Sequence, residues 1–463
     1  MRHTERLAIE HHAMSATLAP PPTKAPPGPP PFKGSRRFGS HPHLFMHELL
    51  SEYGDFVRYR SFFDVYLVNH PEYVRKVLAQ NHEHFSKRTI DYRVLAQAMG
   101  NGLVSNDGAH WVKQRKLMQP VFSNRNVNSF DETINEYTSR MLDGWITRGA
   151  AEPLWIDREM GRLTFEIVGS TLFGSDIQEH ATEIREILEV INIQTQDIRA
   201  LMTLFSWIPT KYNRKWRAAK ARLDRIVYEV MDAREQRSEG VADILDRLID
   251  ARDEETGEGM DRVQMRDEVV TLMLAGHETS ANALCWTLYL LSRHPQICGR
   301  LREELSGALS GAAADSSDLA KVPYLKQVVQ ESMRVFPPVW AVARCSEQEE
   351  VFGEYVLPAN KYVGVTPYAI HRHPEFWPDP EQFDPERFDP ANHSGRHSYA
   401  YLPFAAGPRA CIGAGMAMLE IQLVLAQIVQ RFDFALVDGH PIEAVPKVTL
   451  NPRYGLPMHL TPR

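Results

Sequence analysis

A chain of 463 residues with 43% apolar and 24% charged residues can bury a large core, which excludes disorder as a description of the whole. A formal charge of −7 with no long Lys/Arg block gives no reason to expect nucleic acid as a partner. Four cysteines, Cys285, Cys298, Cys345 and Cys411, are too few for a disulfide framework and lack the paired spacing of a zinc site. They point to free thiols in a reducing, cytoplasmic compartment.

The first residues carry Arg2, Glu5 and Arg6 and no apolar core of a secretory signal. The best candidate for a membrane span, 279–292, is short and holds Asn282, Thr287 and Tyr289, so no span is expected. Residues 1–34 form a leader with eight prolines between Pro20 and Pro31. Proline prevents helix there, leaving two alternatives, a disordered tail or an extended segment packed on the body. Residues 35–463 read as a single domain.

Taken in order, 56–60 and 65–68 predict a β-hairpin, and Asn69-His70-Pro71 predicts a helix start with an Asn cap. Helices are expected at 182–193, with Ile184, Ile187, Leu188 and Ile191 on one face, and at 218–237, heavily charged. The acidic and glycine-rich stretch 253–259 predicts an exposed connection. Residues 265–293 read as one long helix ending before Pro295, about 43 Å at 1.5 Å per residue. Its apolar run 269–275 suits a core, and the following Gly276, His277, Glu278, Thr279 and Ser280 suggest a local widening where a ligand approaches. Past Val335 prolines become dense and short strands such as 362–366 appear. The fold class is mainly α, a large helical body with a small β-rich portion.

The stretch 404–413, Phe-Ala-Ala-Gly-Pro-Arg-Ala-Cys-Ile-Gly, ends a loop and opens a helix running to about Phe432. A cysteine at a helix start has its thiolate stabilised by the helix end and by backbone N–H groups. Gly407 and Gly413 let the backbone approach a flat cofactor or take positive φ. Phe404 can cover the sulfur, and Arg409 can pair with a carboxylate on the cofactor. The bland alternative is a buried cysteine, but chance co-occurrence of these residues is on the order of one in ten thousand.

These ten residues resemble the haem-binding signature of the cytochrome P450 family. The resemblance implies that fold, with haem b (iron protoporphyrin IX) between the long central helix and the cysteine loop and Cys411 as its iron ligand. Other segments match in the same order. Trp111 and Arg115, one helical turn apart, match residues that hold haem propionates, as do Arg344 and Arg409. Residues 275–280 resemble the oxygen-binding segment, which implies Thr279 holding dioxygen and Glu278 on the proton path. The alternative for Thr279 is a bond to its own i−4 carbonyl. Glu331, Arg334 and Arg387 match a buried structural triad, whereas an isolated Glu-x-x-Arg would be only a surface pair. Ala405 departs from the pattern, standing where many members have glycine.

The resemblance further implies a monooxygenase acting on a hydrophobic small molecule such as a terpene, steroid or fatty acid. The expected pocket includes Met273, Ala275, Val339, Trp340, Val342 and the loop 454–457. Electrons are expected from a separate ferredoxin or flavodoxin with its reductase, docking in part on Lys113 and Lys116. The expected state is a monomer. The rivals are a peroxide-using or isomerising relative, which needs no Glu278-Thr279 pair, and a haem gas sensor, which needs an output domain.

Overall fold

The computed structural model of the chain describes residues 24–463 except 62, 150–151, 175–179, 181–182, 185, 189, 192–197, 236–242, 310 and 393–394. The leader up to residue 23 lies outside the described residues. Residues 24–34 run along the sheet: Arg58 N donates to Pro27 O at 2.8 Å and Phe32 N to Arg60 O at 2.8 Å.

The long helix is Arg262–Arg293, three residues longer at its start than 265–293 because Asp261 caps it, accepting from Gln264 N at 2.8 Å. It stays α-helical throughout, with no widening at Gly276. That glycine has another reason: a Cβ there would sit 3.1 Å from Val168 of the neighbouring helix Ile156–Phe173. The two helices also join through Thr164 Oγ1, which donates to His277 O at 2.9 Å. Most of the large helical core packs around this pair. Trp286 stacks on Phe336 with ring centroids 4.1 Å apart, and its Nε1 donates to Leu450 O at 2.8 Å. One side chain thereby ties the central helix to the helix Pro323–Val335 and to the hairpin of Ala444–Pro446 and Leu450–Pro452.

The β-rich portion is a five-stranded sheet in the order Phe56–Arg60, Asp64–Val68, Tyr362–Val365, Val342–Ser346, Phe85–Ser86, with smaller sheets beside it. The expected hairpin is its first pair, antiparallel with Phe56 opposite Val68. The next helix is capped by His70, whose Nδ1 accepts from Glu72 N at 3.2 Å, and not by Asn69. The charged helix is Lys211–Glu235, seven residues longer at its start than expected. Of the helix expected at 182–193, part lies outside the described residues, while Ile184, Ile187, Leu188 and Ile191 are buried in the helical core. No helix among the described residues is long and apolar enough to cross a membrane.

Candidate active site

The cysteine loop is built by backbone constraints. Cys411 N donates to Phe404 O at 2.9 Å and Ala410 N to Gly407 O at 3.0 Å, closing two turns before the helix Ala414–Arg431. Gly407 has φ 73°, and a Cβ on it would lie 2.0 Å from Leu78 O, so both its conformation and its surroundings require glycine. Ala405 takes φ 57°, a left-handed conformation that a glycine adopts more easily. Of the two alternatives expected at Gly413, positive φ is not the one adopted: it caps the helix at φ −88°, and the place of its missing Cβ is open space.

Cys411 lies deep in the fold, yet its side chain is solvent-reachable. Burial pushes its thiol up, against the opposing pull of the Gly413 backbone N–H and the Arg115 charge. The helix end and backbone N–H groups were expected to stabilise the thiolate; in the folded chain desolvation is larger. The central helix is likewise accessible along one short stretch. Its residues 275–279 are half-buried, although Met273 and Leu274 before them and 280–288 after them are sealed. Phe404 and Ile412 are half-buried and pack on the helical core. Glu420, nine residues past Cys411, bonds Ser280 of the central helix. Full burial pushes its carboxyl up to about 8, and its Oε1 has no hydrogen-bond partner.

The expected oxygen-binding pair divides. Thr279 Oγ1 donates to Ala275 O at 2.8 Å, the local bond of a helical threonine. Glu278 turns outward: its Oε1 accepts from Thr449 Oγ1 at 2.6 Å and Asn451 Nδ2 at 3.2 Å. Glu278 floors a polar cavity of about 480 Å³ lined also by His277, Arg158, Lys447, Arg453 and Tyr454. The loop 454–457, expected in an apolar pocket, therefore contributes Tyr454 and Gly455 to this polar one, while Leu456 is fully buried.

At the opposite edge, Trp111 and Arg344 are buried, and Arg409 lies over the Trp111 ring at 5.7 Å. Arg344 Nη1 donates to Tyr92 Oη at 2.9 Å and Ala343 O at 2.8 Å. Arg409 donates to Asp107, His82 O and Phe85 O at 2.5, 2.9 and 2.6 Å. Each of these arginines keeps a buried Nε with no hydrogen-bond partner. Lys87, which nothing in the sequence pattern marked, joins them: its Nζ donates to Leu103 O at 2.8 Å and lies 5.7 Å from the Trp111 ring. Burial and the Arg344 charge push this amine down to about 7. Two arginines, each with an orphaned donor, beside Lys87 would fit the two carboxylates of a haem. Arg115 stands apart from that cluster's bonds, its Nη1 donating to Ala410 O at 2.8 Å, next to Cys411. A reachable sulfur before a helix start and this cation cluster fit haem.

The triad is assembled, unequally. Glu331 and Arg334 are fully buried, with Arg334 Nε to Glu331 Oε2 at 2.7 Å and Nη2 to Oε1 at 2.9 Å. Arg334 also donates to the carbonyls of His371, Pro380 and Gln382. Arg387 reaches Glu331 only at 3.4 Å. His371, to which sequence reasoning attached no role, joins the triad to the cysteine loop. Its Nδ1 donates to Arg334 O at 3.2 Å and its Nε2 accepts from Leu402 N at 2.8 Å.

The pocket residues scatter. Ala275 is half-buried on the central helix, Met273 is fully buried in the core, and Val339 is half-buried after Pro338. Val342 opposes Val365 in the sheet. Trp340 leaves the pocket: it packs with the cluster of Phe45 and Tyr59, and its Nε1 donates to Lys447 O at 2.9 Å.

Comparison with known proteins agrees with this geometry. Residues 25–456 match the Cytochrome P450 family. "Cyclooctatin synthase" of Streptomyces melanosporofaciens is 32% identical over 92% of this chain and 92% of its own. "Cyclooctat-9-en-7-ol 5-monooxygenase" of the same organism is 33% identical over 81% of each. The crystal structure of the cytochrome P450DA heme domain superposes with a TM-score of 0.86 at 25% identity, covering 96% of this chain and 99% of that one.

Proposed function

Because the chain belongs to the cytochrome P450 family and is a P450 monooxygenase, we propose that it inserts one atom of dioxygen into a hydrophobic small molecule by hydroxylation or epoxidation. The expectation of an apolar pocket favours a terpene, steroid or fatty-acid-like substrate. The relative whose name specifies cyclooctat-9-en-7-ol supports a cyclic, largely hydrocarbon substrate.

The observation that carries this reading is Cys411, an accessible sulfur just before the helix Ala414–Arg431. Cys411 Sγ would hold the iron of haem b, while Trp111, Lys87, Arg344 and Arg409 would hold its propionates. When bound, haem supplies dioxygen activation, which a thiolate ligand directs toward O–O cleavage. The chain's own residues do the rest. Arg115 holds the Ala410 carbonyl and so the turn that aims the sulfur. Phe404 keeps water from the sulfur. Glu278 would relay protons from the polar cavity, and Thr279 Oγ1, its own hydrogen held by Ala275 O, would keep its lone pairs for an incoming donor. Electrons come from a separate ferredoxin or flavodoxin with its reductase.

The test is spectroscopic. The reduced protein under carbon monoxide should absorb at about 450 nm, where a thiolate ligand places the band. Cys411→Ser should abolish it; a protein without the band, or a variant that keeps it, overturns the reading. High-spin shifts with a panel of terpenes, steroids and fatty acids then choose the substrate class.

A further inference from the structure

Lys113 and Lys116 lie on the helix Gly108–Met118, on either side of Arg115, which holds the carbonyl next to Cys411. They were expected to be free for an acidic electron carrier, and the structure shows them taken. Lys113 Nζ pairs with Glu258 at 2.8 Å, and Lys116 Nζ pairs with Glu255 at 2.9 Å and Asp253 at 3.7 Å. All three carboxylates come from the acidic connection between the helix Ile244–Asp250 and the central helix.

That connection is folded on itself. Asp253 N donates to Glu258 O at 2.9 Å and Gly257 N to Asp253 O at 2.8 Å. Asp253 Oδ1 accepts from Glu255 N at 3.0 Å and Thr256 N at 2.9 Å. Its ends are anchored too: Arg252 Nη1 donates to Ala251 O at 3.0 Å, and Asp261 caps the central helix. The turn therefore presents carboxylates to the lysines from a preformed scaffold. The ion pairs holding it down are exposed, with Glu255 and Glu258 side chains 82% and 65% accessible. Exposed pairs of this kind are weak and exchangeable, and salt screens them. Four carboxylates (Asp253, Glu254, Glu255, Glu258) against two lysines leave this patch without the positive field that steers an acidic protein.

We propose that the turn 253–259 is an intramolecular stand-in for an acidic electron-carrier protein, whose carboxylates must displace Glu255 and Glu258 from Lys116 and Lys113 to dock beside the cysteine loop. The inference rests on the reading that electrons arrive from a separate carrier. Competition from within lowers the carrier's affinity at low ionic strength and is screened away at high ionic strength.

The haem-loaded protein and its Glu255→Gln/Glu258→Gln variant are titrated calorimetrically with an acidic plant-type [2Fe–2S] ferredoxin at low and high salt. The variant should bind about two- to fivefold tighter at low salt, with the difference gone at high salt. Lys113→Gln/Lys116→Gln should weaken binding at low salt. Unchanged or weaker binding by the glutamine variant overturns the proposal, since the turn would then be inert or itself a carrier contact. Binding that ignores the lysine variant overturns it as well. Failure of the functional reading is separate, because it shows as loss of the carbon monoxide band before any carrier is added.

Discussion

The Nε2 atom of His371 accepts the backbone N–H of Leu402 at 2.8 Å, while Nδ1 of the same ring donates to Arg334 O. One neutral imidazole thus spans from the buried Glu331–Arg334 pair to the strand of chain that leads into the cysteine loop. Burial, reinforced by the Arg334 charge, pushes its pKa down to about 3. A histidine lowered in the folded state binds its proton first when unfolded. Its contribution is therefore full above the ordinary value near 6.5 and is lost as pH falls toward about 3. His371→Phe should lower stability at pH 7 by about 2–3 kcal/mol, through the unpaired Leu402 N–H and Arg334 carbonyl. It should also flatten the acid limb of the unfolding profile, measured by denaturant melts between those limits. A variant with the wild-type acid limb would show that the ring does not titrate with folding.

The unequal triad predicts unequal losses. Glu331→Gln leaves the buried Arg334 charge without its bidentate partner and should cost about 3–5 kcal/mol. Arg387, 3.4 Å from Glu331 and nearer the surface, should cost roughly 1–2 kcal/mol when changed to Met. Chemical denaturation orders the two; equal losses would mean that the 3.4 Å contact is as tight as the bidentate one.

Glu420 sits fully buried with its carboxyl raised to about 8. The native state then holds a proton that the unfolded chain releases near pH 4.5, so stability falls as pH rises from there through about 8. Glu420→Gln should melt at a temperature similar to wild type at pH 5. It should be the more stable protein, by a few kcal/mol, at pH 9. A constant difference across that range would place the carboxyl in its ordinary state.

Two neighbouring loop positions should respond in opposite directions. Gly407→Ala forces a Cβ against Leu78 O at a left-handed φ, and should prevent haem retention, read from the Soret absorbance per protein. Ala405→Gly relieves the left-handed strain at φ 57° and should raise stability by up to about 1 kcal/mol. A destabilised Ala405→Gly protein would mean that the methyl packs well enough to outweigh the strain.

Thr279→Ala should keep the carbon monoxide band but release several-fold more reducing equivalents as hydrogen peroxide, since the hydroxyl that orients proton delivery is gone. Thr449→Val, which removes one of two donors to Glu278, should slow turnover and move its pH profile, with Thr449→Ser restoring both. Coupling unchanged by the first substitution would confine Thr279 to its bond with Ala275 O.

Local chemistry made much of this protein legible in its residue order. The run 404–413 could be read as a cysteine loop opening a helix, and its resemblance to the haem-binding signature rested on glycine, arginine and cysteine at short fixed spacing. The apolar stretch 269–275 is likewise local, so the central helix was readable to within a turn, although its cap at Asp261 was not read. What lay beyond reach depends on which segments meet. Lys87 becomes a member of the cation cluster, and His371 a link to the loop, only because strands and loops distant in sequence converge on them. Trp340 faces the N-terminal cluster and Glu278 faces the 444–452 hairpin for the same reason. A side chain's type follows from the gene, whereas its partner, and with it its charge state, is decided by packing between segments that no local pattern relates.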